Sequence, residues 1–122
     1  MNKRDLTEQE IRSRYIRPAL IDAGWESSQI REEYYFTAGR MHISGQIAER
    51  GKRNFVDFLL VYKNVQLAIV EAKDNNHSLG SGMQQGLSYA EALDVPFVYS
   101  SNGDGFLEHD RSIPDGGNCI YR

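Results

Sequence analysis

Two hydrophobic periods divide the chain. Ile11, Tyr15, Ile16, Ala19 and Leu20 recur at helical spacing, and Thr7 with Glu10 three positions later makes a capping-box signature just before them. The spacing predicts a helix over about 8–23, closed by Gly24, with Pro18 set to kink it or stop it early near Arg17. From residue 33 the period shortens. "EEYYFTAGRMHISGQIAERGKRNFVDFLLVYKNVQLAIVEAK" is rich in aromatic and β-branched residues and broken by glycines, which predicts strands at roughly 33–37, 40–48, 54–62 and 66–72. "YKNVQ" reads as a short hairpin turn. After the loop "DNNHSLGSG", residues 81–93 return to helical spacing with Met83, Leu87, Ala90 and Leu93 on one side. "VPFVYSS" is then a buried strand, and "NGDG" turns the chain into "FLEH". Strand, helix, strand is a parallel crossover unit, so the expected class is α/β, a mixed central sheet flanked by helices. No internal repeat, low-complexity tract or linker interrupts it, and 122 residues suit a single domain.

One strand has an odd ending. "LAIVEAKDNNH" (67–77) runs four apolar residues straight into a glutamate and a lysine. Alternation along a strand puts Leu67, Ile69, Glu71 and Lys73 on one face, and in "FVDFLLV" it puts Phe55, Asp57 and Leu59 on one face and Val56, Phe58 and Leu60 on the other. A hairpin turn centred on Asn64 sets Asp57 directly across from Glu71, on the same face. A two-residue loop at 63–64 instead pairs Asp57 with Val70 and sends Glu71 to the far side. Two opposed carboxylates repel, and their burial is costly without compensation. A Mg²⁺ ion supplies it, since carboxylate oxygens are its natural ligands and it keeps waters for chemistry. Lys73 beside them could then hold or deprotonate an attacking water, or offset charge developing on a phosphate. The plainer alternative leaves Asp57 and Glu71 in water at strand ends with Lys73 as an ion-pair partner. Gln85 and Tyr89, four apart on one helix face, could orient the metal ligands or hold a phosphate, or form a partly exposed polar stripe.

Composition narrows the setting. Hydrophobic and charged fractions of 40% and 25% are ordinary for a globular chain. No apolar run is long enough to span a membrane, and the amino terminus lacks the apolar core of a signal peptide. A single cysteine, Cys119, excludes a disulfide framework and a thiolate zinc site; the expected location is the cytoplasm. The net charge of −3 argues against indiscriminate nucleic-acid binding, yet basic residues cluster at Arg12, Arg14 and Arg17 and at Arg50, Lys52 and Arg53. Because the second cluster precedes the Asp57 strand, Arg50, Lys52 and Arg53 are the candidate phosphate contacts. "RGKRN" has neither the spacing nor the second glycine of a nucleotide-binding phosphate loop. Of three scattered histidines, only His77 lies near the proposed site.

Asp57, then "EAK" at 71–73, then "QGLSY" at 85–89 resembles the D…E-x-K…Q-x-x-x-Y pattern of PD-(D/E)XK nucleases. "TEQEIRSRYIRPALIDAGW", "YYFTAGR", "GKRNFVDFLLVY", "LAIVEAKDNN" and "VPFVYSSNG" resemble, over nearly the whole chain and in order, the amino-terminal endonuclease domain of type I restriction enzyme R (restriction) subunits. Val56 departs from the pattern, standing where the fold's name has proline. The resemblance implies a restriction-endonuclease-like core and Mg²⁺-dependent hydrolysis of double-stranded DNA, with Mn²⁺ able to substitute. Asp57, Glu71 and the carbonyl of Ala72 would hold the metal, and Lys73 would position the water. Glu10 falls where many relatives carry an acidic residue on the first helix. Such subunits are much longer and work with modification and specificity subunits, so the chain is expected to be the front of a longer protein whose absent translocase uses ATP. The alternatives are a repair or junction-resolving nuclease of the same fold, and a non-catalytic DNA-binding or assembly module.

Overall fold

The computed structural model describes residues 2–37, 42–43, 46–47, 53–114 and 118–121. The first helical region runs through α1 (Glu8–Ile11), one π-helical segment (Arg12–Ile16) and α2 (Arg17–Asp22). Pro18 explains the middle piece: its ring crowds the carbonyl four residues back and it has no N–H to give. The chain widens by one residue, so that the Arg17 N–H bonds the Arg12 carbonyl, and continues. The expected kink is therefore absorbed as a π turn. The helix stops after Asp22, with Gly24 at φ 110°.

Eight strands follow among the described residues: β1 (Ile30–Thr37), β2 (His42–Ile43), β3 (Gln46–Ile47), β4 (Arg53–Tyr62), β5 (Val65–Ala72), β6 (Phe97–Ser101), β7 (Phe106–Asp110) and β8 (Asn118–Tyr121). α3 (Met83–Leu93) connects β5 to β6. The main sheet has the order β1-β4-β5-β6-β7-β8, antiparallel except for β5–β6. The strand expected over 40–48 is represented by the short β2–β3 pair, and its remaining residues lie outside the described ones. β8 was not foreseen; its four residues are exposed.

The sheet is covered on both faces. Leu6, Ile11, Ile16 and Leu20 pack onto Ile30, Phe58, Leu60, Ala68 and Val70. On the other face Met83, Tyr89, Ala90 and Val95 pack onto Val56, Leu59, Ile69 and Val98. Val56 and Leu59 thus share a face, against the strict alternation expected of "FVDFLLV". The break falls where β1 and β4 lose their pairing: Glu32↔Phe58 and Tyr34↔Val56 are partners, but Glu33 and Asp57 between them are not. Glu33 is left-handed there, with φ 52°, a conformation that costs a non-glycine residue of order 1 kcal/mol or more.

The β4–β5 hairpin reconciles two registers that the sequence left as alternatives. Its loop is the two-residue one: Tyr62 pairs with Val65, and Lys63 and Asn64 both take positive φ, as a type I′ turn requires. Unmodified, that turn would set Asp57 against Val70. A bulge then inserts Leu67, so that Val61 pairs with Gln66 but Leu60 with Ala68. From there Phe58 faces Val70, and one step further Asp57 stands beside Glu71.

A buried carboxylate pair on adjacent strands

Asp57 and Glu71 are 4% and 3% exposed, among the few buried charges of the described residues. Each carboxylate takes up a backbone donor of the other strand. The Asp57 N–H donates to Glu71 Oε2 at 2.9 Å, and the Ala72 N–H donates to Asp57 Oδ2 at 2.7 Å. Side-chain oxygens thus stand in for ladder carbonyls where the strands separate, and the two acids are locked to the frame. Burial pushes both carboxyls above the usual range. For Glu71 the repulsion of Asp57 adds to it, whereas the Ala72 N–H and Arg12 partly offset it for Asp57.

The α3 helix forms the roof over Glu71. Gly82 and Gly86 let it approach: a Cβ on Gly86 would lie 2.7 Å from Val98 Cγ1 and 3.3 Å from Glu71 Cγ. Ser100 fixes the start of the helix, accepting from the Gly82 N–H at 3.0 Å and donating to the Leu79 carbonyl. Gly86→Ala gains roughly 0.5–1 kcal/mol of helix propensity, but the clash is with a fully buried valine and costs about 1–3 kcal/mol. The variant is expected to melt several degrees below the parent in thermal denaturation; an unchanged or higher melting temperature would show that α3 is free to lift.

Gln85 is exposed and only Tyr89 enters the interior. Gln85 Nε2 donates to Tyr89 Oη at 2.8 Å, while the Tyr89 ring is buried against Phe36, with centroids 5.2 Å apart. Burial and the charges of Glu71 and Asp57 raise the Tyr89 hydroxyl above its ordinary range, so it stays a neutral donor next to the acids. Lys73 lies just beyond β5, half-buried, its N–H bonded to the Ser101 carbonyl at 2.9 Å. Its ammonium favours ionisation of both Asp57 and Glu71.

Glu10 is committed elsewhere. Its carboxylate closes the capping box with the Thr7 N–H at 3.1 Å and pairs with Arg14 at 3.4 Å. The first-helix acid whose charge reaches both Asp57 and Glu71 is Glu8. Arg12 was grouped with Arg14 and Arg17 as a basic cluster, but it is 6% exposed and stands 3.7 Å from Asp57 Oδ1. One signal could have revealed it: Arg12, Ile16 and Leu20 are spaced by four, so the arginine belongs to the buried stripe. Arg17 is tied to Glu32 and Ser27. Arg50 and Lys52 lie outside the described residues, and Arg53 opens β4. His77 is exposed and pairs with Asp74 at 2.9 Å. A cavity of about 610 Å³ between α2 and β6–β8, lined by Trp25, Tyr99, Phe106 and Tyr121 among others, includes none of the carboxylate-site residues.

The family model described as type I restriction enzyme R protein N terminus matches residues 7–112, which include every residue of this site. The chain belongs to that family. Over its full length it is 42% identical to the type I restriction enzyme EcoAI endonuclease subunit of Escherichia coli, of which it spans 15%. A fragment structure described as an HsdR subunit of a type I restriction enzyme from Vibrio vulnificus YJ016 superposes with a TM-score of 0.77 at 39% identity, covering 94% of this chain and 22% of that one. This R-subunit amino-terminal region is thus a mixed α/β unit, and among the described residues no helix is long and apolar enough to cross a membrane.

Proposed function

We propose that this R-subunit region is the DNA-cleaving part of a type I restriction enzyme, a PD-(D/E)XK nuclease that hydrolyses phosphodiesters of double-stranded DNA with Mg²⁺ or Mn²⁺. The observation that carries the reading is the interlocked Asp57–Glu71 pair, two buried acids held side by side against their mutual repulsion. A structural sheet gains nothing from such a pair; a cation site needs it. The donor set suits Mg²⁺, which takes one or two carboxylates and fills the rest of its shell with water and phosphate oxygens. Among the described residues no third His, Cys, Asp or Glu completes a cluster, which leaves the Ala72 carbonyl as a further protein ligand. When bound, the ion would activate water and neutralise phosphate charge.

The chain's own groups have separable tasks. Asp57 and Glu71 bind the cation, which displaces the proton that burial favours on Glu71. Lys73 positions the attacking water and steadies charge on the phosphate. The Gln85–Tyr89 pair keeps a neutral hydroxyl and an amide on the α3 side of Glu71, fixing its orientation. Arg50, Lys52 and Arg53 take up DNA phosphates without reading bases; recognition falls to a specificity subunit, working with a modification subunit, and ATP to a translocase region. A repair or junction-resolving nuclease is the weaker reading, given 42% identity to a type I endonuclease subunit across the whole chain.

Crystals soaked in Mn²⁺ test the centre of the proposal: anomalous density should stand between the Asp57 and Glu71 carboxylates, and its appearance elsewhere would refute the site. For the DNA surface, Lys52→Ala with Arg53→Ala should weaken binding uniformly across sequences and reduce the salt slope by about 1–2. Loss confined to particular sequences would mean that these residues read bases.

A further inference from the structure

Arg12 is a buried charged group beside Asp57 to which the proposed chemistry gives no task. Its guanidinium is buried, yet Nε and Nη1 have no hydrogen-bond partner among the described residues. Nη1 stands 3.7 Å from Asp57 Oδ1 and 3.8 Å from Glu32 Oε2, and Nη2 stands 3.5 Å from Glu33 Oε1. Nη2 donates to Glu33 Oε1 only at this long range and Nη1 bonds neither neighbour, so Arg12 acts chiefly as a charge among three carboxylates. It acts from the first-helix face, where Asp57 and the left-handed Glu33 lose their pairing. Asp57 is therefore pinned through both oxygens: Oδ2 by the Ala72 N–H, and Oδ1 by the field of Arg12.

We propose that Arg12 is a positioning residue that acts as the resident counter-ion of the metal-free site, its buried guanidinium holding the Asp57 carboxylate in place from 3.7 Å until the cation takes over that role. The inference rests on the metal site proposed above. It distinguishes Arg12 from an ordinary core salt bridge, because a group that substitutes for the metal matters most when the metal is absent and opposes the metal when it arrives.

The test uses the 122-residue chain with Arg12→Met and Arg12→Lys, measuring thermal melting in EDTA and in saturating Mn²⁺, and Mn²⁺ binding by calorimetry. Arg12→Met should melt several degrees below the parent in EDTA, recover most of that loss in Mn²⁺, and at pH 9, where proton competition is weakest, bind Mn²⁺ roughly tenfold more tightly, since a nearby like charge has gone. Arg12→Lys keeps the charge and should respond to Mn²⁺ as the parent does. An equal loss of melting temperature with and without Mn²⁺ would make Arg12 merely structural and overturn the proposal. If Arg12→Met does not fold in EDTA, Mn²⁺ should restore folding; a chain still unfolded in saturating Mn²⁺ overturns it as well. A parent chain that neither binds nor is stabilised by Mn²⁺ defeats the metal site itself, a result distinguishable from the others.

Discussion

Lys73→Ala should abolish DNA cleavage by the assembled enzyme, by about 10³-fold, while leaving the fold and the cation site in place. The side chain begins one residue beyond β5, after the buried Ile69 and Val70. Its truncation opens no cavity in either core layer, and the backbone N–H that joins it to Ser101 survives the change. Lys73 currently favours ionisation of Asp57 and Glu71, so its removal makes those acids hold their proton more tightly. At neutral pH, part of the Mn²⁺ affinity is then spent on displacing that proton. At pH 9, with both acids ionised, only the loss of a repelling charge remains, and the variant should bind Mn²⁺ at least as tightly as the parent. The separation is the informative result: cleavage gone, metal retained. If Lys73→Ala cleaves at near the parent rate with Mn²⁺ bound, Lys73 does not handle the water. If metal binding disappears along with cleavage at pH 9, the ammonium holds the two carboxylates together rather than serving the chemistry.

The pattern of the chain made the architecture legible because long elements dominate it. α3 and the strands β4, β5 and β6 follow from periodicity within a residue or two. What it hid were local backbone solutions. Lys63 at positive φ is unreadable, since lysine has no preference for that region; a sequence rule would ask for glycine. The Leu67 bulge leaves no mark either, for a bulged leucine looks like any strand leucine. Yet turn and bulge together decide whether Asp57 meets Glu71. The pairing could be posed from the sequence as an alternative but settled only by the register. Pro18 was readable as a disturbance, though not as a π turn. Glu10 closes the capping box that the sequence also offered for it, while the electrostatic reach of Glu8 to Asp57 and Glu71 has no mark in the residue pattern. Arg12 falls in a basic cluster with Arg14 and Arg17, although its spacing from Ile16 and Leu20 places it on the buried stripe.

Glu71→Gln should stabilise the metal-free chain at alkaline pH while eliminating metal binding, a trade between stability and function. Burial and the Asp57 charge raise the Glu71 carboxyl from 4.5 to about 8, and burial raises Asp57 from 3.8 to about 6. Both shifts disfavour the charged form in the folded state. Below about pH 4 the acids are protonated whether folded or not, and there is no penalty. Between about pH 4 and pH 8 the unfolded chain gives up these protons first, the folded chain retains more of them, and stability falls as pH rises. Above about pH 8 the full penalty is present: two anions side by side beneath α3. Glutamine keeps an oxygen to accept the Asp57 N–H and carries no charge, so the variant loses most of this slope. The gain at pH 9 is on the order of 2 kcal/mol, or about 5–8 °C in melting temperature, and it shrinks toward zero by pH 5. Saturating Mn²⁺ should reverse the order, because the parent gains binding energy that the variant cannot. Melting curves from pH 5 to pH 9, each with EDTA and with Mn²⁺, decide the matter. A variant less stable than the parent at pH 9 in EDTA would mean that the Glu71 charge is compensated within the chain, and that the pair is a structural bridge with no vacancy for a cation.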